Sequence, residues 1–274
     1  MNQFEFLRYV NLGQYLPTGS WIHRLDVRVR ILAAVFLLLS LTLTGRPVAL
    51  MIALMGLLAL LSLARVPWAY ALRNLLPPLP FLLLLAVLQV FFNPRPLVTD
   101  TLIFQWHWVS VSMASLLAGV TLLLRFSALI LTLSLATYCI STSEMIHGLE
   151  ALLSPLQRVG VPARMFVMMV QVMLRFLPFL ALAAERIAKA QASRGAQWGS
   201  RRGSLIQRAR QVIPLLVPLL LTGLHRAENL ALAMETRGYD GESAHTSLFA
   251  AHFSWRDALA VMVVLMFSVV LLLV

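Results

Sequence analysis

Two helix endings in the last third of the chain share a spacing that could do chemistry. Glu185, Ala188, Ala190, Arg194 and Gly195 stand at the same intervals as Glu228, Ala231, Ala233, Arg237 and Gly238. The residue before each arginine is small, Ser193 in the first copy and Thr236 in the second, and an aromatic follows, Trp198 or Tyr239. A guanidinium is a planar fork of donors that matches carboxylates and carbonyl-lined grooves better than a lysine ammonium does. At the end of a helix it can enter such a groove on a partner. It can also serve its own helix, facing the negative end of the dipole while Gly takes the left-handed position. Capping does not require the upstream Glu or the two Ala, yet both are repeated. The matched pair therefore points to two plugs for two sockets. Arg194 and Arg237, with Ser193, Gly195, Thr236 and Gly238 beside them, are the expected docking residues.

No other pattern in the chain carries obvious chemistry. There is no phosphate-binding loop, nucleophile elbow or paired-carboxylate arrangement. The six histidines, 23, 107, 147, 225, 245 and 252, show no metal-ligand spacing, and Cys139 is the only cysteine. Neither a metal site nor a disulfide framework is expected. The chain should be no enzyme and hold no cofactor of its own, so any energy source has to come from another subunit.

The elements that position the two endings belong to a membrane protein. Of 274 residues, 60% are hydrophobic and 12% charged. Apolar runs long enough to span a bilayer fall at 31–44 with its flanks, 47–64, 75–92, 111–140 and 255–274. The first run follows a basic segment and has no small-residue cleavage site after it, so a removable signal peptide is not expected. The net charge of +11 could suggest nucleic acid, but 19 of the 22 basic residues fall on one membrane face or at its boundary. That asymmetry is the positive-inside rule, not nucleic-acid binding. It places the N-terminus and the 141–256 region in the cytoplasm and the end of the last span outside. Arg46 and Arg95 fall in the opposite loops. Arg125 lies mid-span, where an unpaired charge costs about 2.5–3.5 kcal/mol, so it should have an interior partner, line a pathway or snorkel to the boundary.

Asp26 can cap the first helix. The prolines at 77, 78 and 80 should bend the start of the third span. Beyond the fourth span, segment 143–240 interleaves twelve basic and six acidic residues with apolar stretches. Residues 143–157 read as a short amphipathic helix with Ser143 as its cap. Residues 163–194 and 204–237 read as helices of about 48 and 51 Å, kinked at Pro178 and at Pro214 and Pro218. Both are apolar first and polar, Ala-rich last, which suits cytoplasmic-surface helices that insert partly. Ala188 and Ala190 in one, with Ala231 and Ala233 in the other, are small enough for the two backbones to cross closely. The expected fold is an all-α membrane protein, with about five spans and three cytoplasmic coupling helices, the two long ones crossed. Its expected divisions are residues 1–140, 141–240 and 241–274.

These residues resemble a family. The stretches LGQYLPTGSWIHRLDVRVR (12–30), SEMIHGLEALLSPLQRVGVP (143–162), LRFLPFLALAAERIAKAQASRG (174–195) and IPLLVPLLLTGLHRAENLALAMETRG (213–238) are similar to the transmembrane T component of energy-coupling factor (ECF) transporters. Those are vitamin and metal-ion importers of prokaryotic plasma membranes. The resemblance implies that Arg194 and Arg237 are the central arginines of two coupling helices, each docking into one of two ABC-type ATPases. ATP and its magnesium would bind on those ATPases. The resemblance also implies a separate membrane-embedded S component that binds the substrate. Ser193 and Thr236 stand where the family often has Ala, and Val27 where it usually has Pro. The opening is similar to T components shared among several S components.

Two other readings compete with this one. A conventional ABC importer permease would contact substrate directly through an EAA-type loop, which Glu150-Ala151 with Gly160 partly echoes. A non-transport membrane scaffold or channel would need no ATPase.

Overall fold

The computed structural model describes residues 15–92, 102–106, 109–154, 163–195, 205–239 and 254–273. They form nine α-helices, a 3-10 turn at Ile22–Arg24 and a two-stranded hairpin. The helices are α1 (Val27–Leu43), α2 (Pro47–Leu63), α3 (Trp68–Leu75), α4 (Leu79–Phe92), α5 (Met113–Cys139), α6 (Thr142–Leu153), α7 (Ala163–Ser193), α8 (Leu205–Glu235) and α9 (Trp255–Leu273). The chain divides into two units, one holding α1–α6 and α9, the other α7 and α8. Met113–Cys139, Met165–Ser193 and Trp255–Leu273 are long and apolar enough to cross a membrane, and the bent pair α3–α4 makes a fourth candidate. At 17 residues each, α1 and α2 sit at the short end of the spanning range.

In the first unit, local signals set the boundaries. Asp26 caps α1 as expected, its carboxylate accepting from the Arg28 N–H at 3.1 Å. Pro47 opens α2 directly after the three-residue link 44–46. That helix ends with Arg65 at φ 52°, while the N–H groups of Arg65 and Val66 donate to the carbonyls of Ser62 and Leu61. This is a Schellman closure with a non-glycine residue in the left-handed position. The expected bend before the third span appears as a 54° break between α3 and α4. Ser112 and Ser115 form a reciprocal capping box that starts α5.

Two features differ from the sequence reading. Between α4 and α5, where Arg95 was expected in a loop, β1 (Leu102–Trp106) pairs antiparallel with β2 (Val109–Ser112). The cap of α6 is Ser141 and not Ser143. The Ser141 hydroxyl accepts from the Glu144 N–H at 3.2 Å, and Glu144 accepts from the Ser141 N–H at 3.1 Å. The reciprocal Ser-x-x-Glu pairing satisfies two backbone donors at once, which Ser143 has no acidic partner to do.

Helices α1, α2, α5 and α9 supply most of the core, with Leu41, Leu50, Leu57, Tyr138 and Leu271 among its most enclosed side chains. Polar groups fix the directions. The Asp26 N–H donates to Asp257 Oδ1 at 2.8 Å at the start of α1 and α9, and Thr44 Oγ1 donates to the Leu271 carbonyl at 3.3 Å at their ends. These two helices therefore run parallel. Arg30 Nη1 reaches the Cys139 carbonyl and Arg125 Nη2 the Thr44 carbonyl at 2.6 Å, so α5 runs antiparallel to α1. Helix α6 packs on α1 so closely that a Cβ at Gly148 would lie 2.7 Å from Ile31 Cδ1 and 2.8 Å from Val27 Cγ1.

Candidate functional site

The second unit carries the two matched helix endings. Both α7 and α8 run unbroken over 31 residues, through Pro178 in one and Pro214 and Pro218 in the other. Each ends in a glycine with left-handed backbone, Gly195 at φ +86° and Gly238 at φ +77°. Nothing lies within 4 Å of a Cβ built at either glycine. Conformation alone, and not crowding, calls for glycine there.

The second ending is a complete Schellman motif. The Gly238 N–H donates to the Glu235 carbonyl at 2.9 Å and the Tyr239 N–H to the Met234 carbonyl at 3.0 Å. In the first ending the corresponding Gly195 N–H donates to the Ala192 carbonyl at 3.0 Å, while Trp198 lies outside the described residues. Arg194 and Arg237 thus occupy the same position, the last residue before the left-handed turn. Both are exposed. Backbone donors already serve carbonyls in the last turn, so the guanidinium groups are not required for that task.

The likeness extends to a feature the sequence did not reveal. Ser193 Oγ donates to the Ala190 carbonyl at 2.8 Å, and Thr236 Oγ1 donates to the Ala233 carbonyl at 3.1 Å. Each hydroxyl is turned back onto its own helix three residues upstream. A hydroxyl so occupied presents little beyond a small side chain beside the arginine, which explains how Ser and Thr can stand in the place of Ala. The upstream glutamates differ. Glu185 pairs with Lys189 at 2.6 Å, whereas position 232, one turn beyond Glu228, is an exposed leucine.

The two helices meet through Phe179 and Leu180 of α7 and Gly223 and Arg226 of α8. Arg226 Cζ stands 4.8 Å from the Phe179 ring centroid, and a Cβ on Gly223 would lie 3.6 Å from Leu180 Cδ2. Of the four alanines expected at a crossing, Ala188 is buried and Ala190, Ala231 and Ala233 are exposed. Ala233 lines a cleft between the helices together with Arg237. Arg175 and Arg226 line the same cleft. Sequence reasoning passed over both because neither repeats at a fixed spacing.

Two charged residues in the first unit are also accounted for. Arg30 is buried, with Nε donating to the Leu25 carbonyl at 3.1 Å and Nη1 paired with Glu144 at 3.3 Å. Burial pushes the Glu144 carboxyl up, but the Ser141 N–H and the Arg30 charge outweigh it and hold the group below the ordinary carboxylate range. Arg125, expected to have an interior partner, line a pathway or snorkel, donates to the carbonyl of Thr44, the C-cap residue of α1. A cation set against a helix C-terminus is favourable, and this assigns Arg125 a structural role. No cluster of three or more His, Cys, Asp or Glu that could hold a metal occurs among the described residues.

Among the described residues, an apolar helical protein with three to four candidate spans carries matched, exposed arginines at the ends of its two longest helices. Comparison with known proteins names the class. A family model described as cobalt transport protein, CbiQ, matches residues 18–248. The energy-coupling factor transporter transmembrane protein EcfT of Brevibacillus brevis is 36% identical over 98% of this chain and 97% of its own length. The EcfT of Acidaminococcus fermentans is 38% identical over 96% of this chain and 95% of its own, and that of Clostridium kluyveri 34% over 93% and 92%. The chain belongs to this family, the transmembrane components of energy-coupling factor transporters.

Proposed function

We propose that the chain is the scaffold that passes ATP-driven motion from two ABC-type ATPases to a membrane-embedded S component, for uptake of a vitamin or metal ion. The observation that carries this reading is the pair of identical helix ends. In each, the arginine precedes a left-handed glycine, is exposed, and stands beside a hydroxyl occupied by its own helix. Two equivalent ends suit two equivalent sockets. ATP and magnesium bind to the ATPases, and this chain neither hydrolyses ATP nor binds the transported substrate. Closure of the ATPases moves Arg194 and Arg237 together, tilts α7 and α8, and releases substrate inward from the S component. The basic-residue asymmetry puts α7 and α8 on the cytoplasmic side. The parallel course of α1 and α9 supports an odd number of passes in the first unit.

Affinity purification from membranes followed by mass spectrometry tests the partners: two ATPases and a small membrane protein are expected. Charge-assisted hydrogen bonds are worth about 1.5–3 kcal/mol each. Arg194→Ala with Arg237→Ala should therefore strip the ATPases and abolish uptake while the chain still inserts. If the arginines only face their own helix dipoles, about 0.3–1 kcal/mol is lost and uptake survives. Near-normal uptake in the double variant removes the coupling role.

A further inference from the structure

The cleft between α7 and α8 has a chemical character that docking of the helix ends does not use. Its volume is about 600 Å3, and Arg175 of α7 lines it together with Arg226 and Arg237 of α8. No carboxylate is among the lining residues. Guanidinium groups remain charged at any physiological pH, so even with Arg237 given over to docking, Arg175 and Arg226 build a positive potential in the cleft that an anion relieves. Arg226 is held by the face of Phe179, with its Cζ 4.8 Å from the ring centroid. Attraction to the ring face restrains the guanidinium without consuming its N–H donors, which stay available for an acceptor. Both helices also expose large apolar side chains along their length, Met173 at 64% and Leu220 at 74% among them. A small anion needs no such surface, whereas an amphiphile does.

We propose that this cleft holds one anionic phospholipid, with its phosphate between Arg175 and Arg226 and its acyl chains along the apolar sides of α7 and α8. Arginines select the anionic headgroup, because a bidentate fork suits phosphate and basic pockets near the cytoplasmic face favour anionic lipids. The apolar flanks select a lipid over free phosphate. The proposal rests on α7 and α8 lying at the membrane surface. It is separable from the coupling role, because Arg175 and Arg226 carry it whereas Arg194 and Arg237 carry the docking.

The full chain, purified with its accompanying subunits, is placed in nanodiscs of phosphatidylcholine with and without phosphatidylglycerol, and retained lipid is counted by native mass spectrometry. Wild type should keep phosphatidylglycerol in preference to phosphatidylcholine, and the preference should weaken with salt. Arg175→Gln with Arg226→Gln should lower retention about tenfold or more, while the paired Arg→Lys variant, charged but without the fork, recovers only part of it. Arg186→Gln, outside the cleft, should change nothing. ATPase co-purification should persist in the glutamine pair. Equal retention of both lipids by wild type overturns the proposal without any variant, so a poorly folding mutant cannot shelter it. Full retention in the glutamine pair overturns it too. Displacement of the lipid by inorganic phosphate, or by an acidic peptide, at equal concentration would reassign the cleft to that ligand and equally overturn it.

Discussion

Arg194 and Arg237 owe their position to the glycines that follow them. Gly238 holds φ +77° with open space around it, so Gly238→Ala meets no clash and costs only the left-handed backbone, about 1 kcal/mol. That is enough to fray the last turn and misplace Arg237. Co-purified ATPase should fall in this variant although every arginine is intact, while the chain's thermal melt barely moves. Unchanged ATPase retention would mean that the turn does not position Arg237. Glu144 gives a second residue-scale test. Its folded carboxyl titrates below the usual range near 4.3, because the Ser141 N–H and Arg30 outweigh the effect of burial. The stability it contributes is therefore complete above the ordinary carboxylate pKa and is lost as pH falls through its lowered folded value. Glu144→Gln should flatten the acid limb of a melting-temperature-against-pH curve, and an identical limb would show that Arg30 gains nothing from this partner.

Among the elements, the starts of the first and last described helices of the first unit are joined by one buried side chain. Asp257 Oδ1 accepts from the Asp26 N–H and Oδ2 from the Ser254 N–H, both at 2.8 Å. One carboxylate thus caps α9 and also satisfies a donor at the start of α1. Asp257→Ala removes a cap worth about 1 kcal/mol and orphans a donor at about 1–3 kcal/mol. A clear drop in melting temperature in detergent is expected, smaller for Asp257→Asn, and no drop would mean that the carboxylate does not hold α9. This clasp was invisible in the sequence because Asp26 and Asp257 are 231 positions apart. What could be read were the local signals: Asp26 as a cap, Pro47 as a helix start, the prolines that break α3 from α4, and the glycines that end α7 and α8. Apolar periodicity placed all the long helices to within a few residues. It missed β1 and β2, whose ladder depends on cross-strand pairing, and it preferred Ser143 to Ser141 because the decisive partner is Glu144.

For the whole molecule, the proposed orientation rests on charge and on helix direction. The turn between α1 and α2 carries Arg46 alone, whereas the region of α7 and α8 is densely basic. In a Cys139→Ala background, Gly45→Cys should react with an impermeant thiol reagent from outside the cell, and Lys189→Cys only from inside. Both positions are exposed, so silence on one side reports topology and not burial. Reaction of both from outside would invert the position of the coupling helices and with it the route to the ATPases.

The corner at the end of α1 has a consequence for biosynthesis. The Thr44 carbonyl is met by Arg125 of α5, and the Thr44 hydroxyl, which donates to the Ser40 carbonyl of its own helix at 2.7 Å, also lies 3.3 Å from the Leu271 carbonyl of α9. A ribosome delivers these partners in sequence, separated by about 80 and then about 145 residues of translation, at roughly 5–20 residues per second. Over that interval the corner of the α1–α2 hairpin has neither partner, and the Thr44 carbonyl is the acceptor that meets Arg125 once α5 is made. The order of synthesis thus makes the hairpin the receptor, α5 the first arrival and α9 the last piece of this corner.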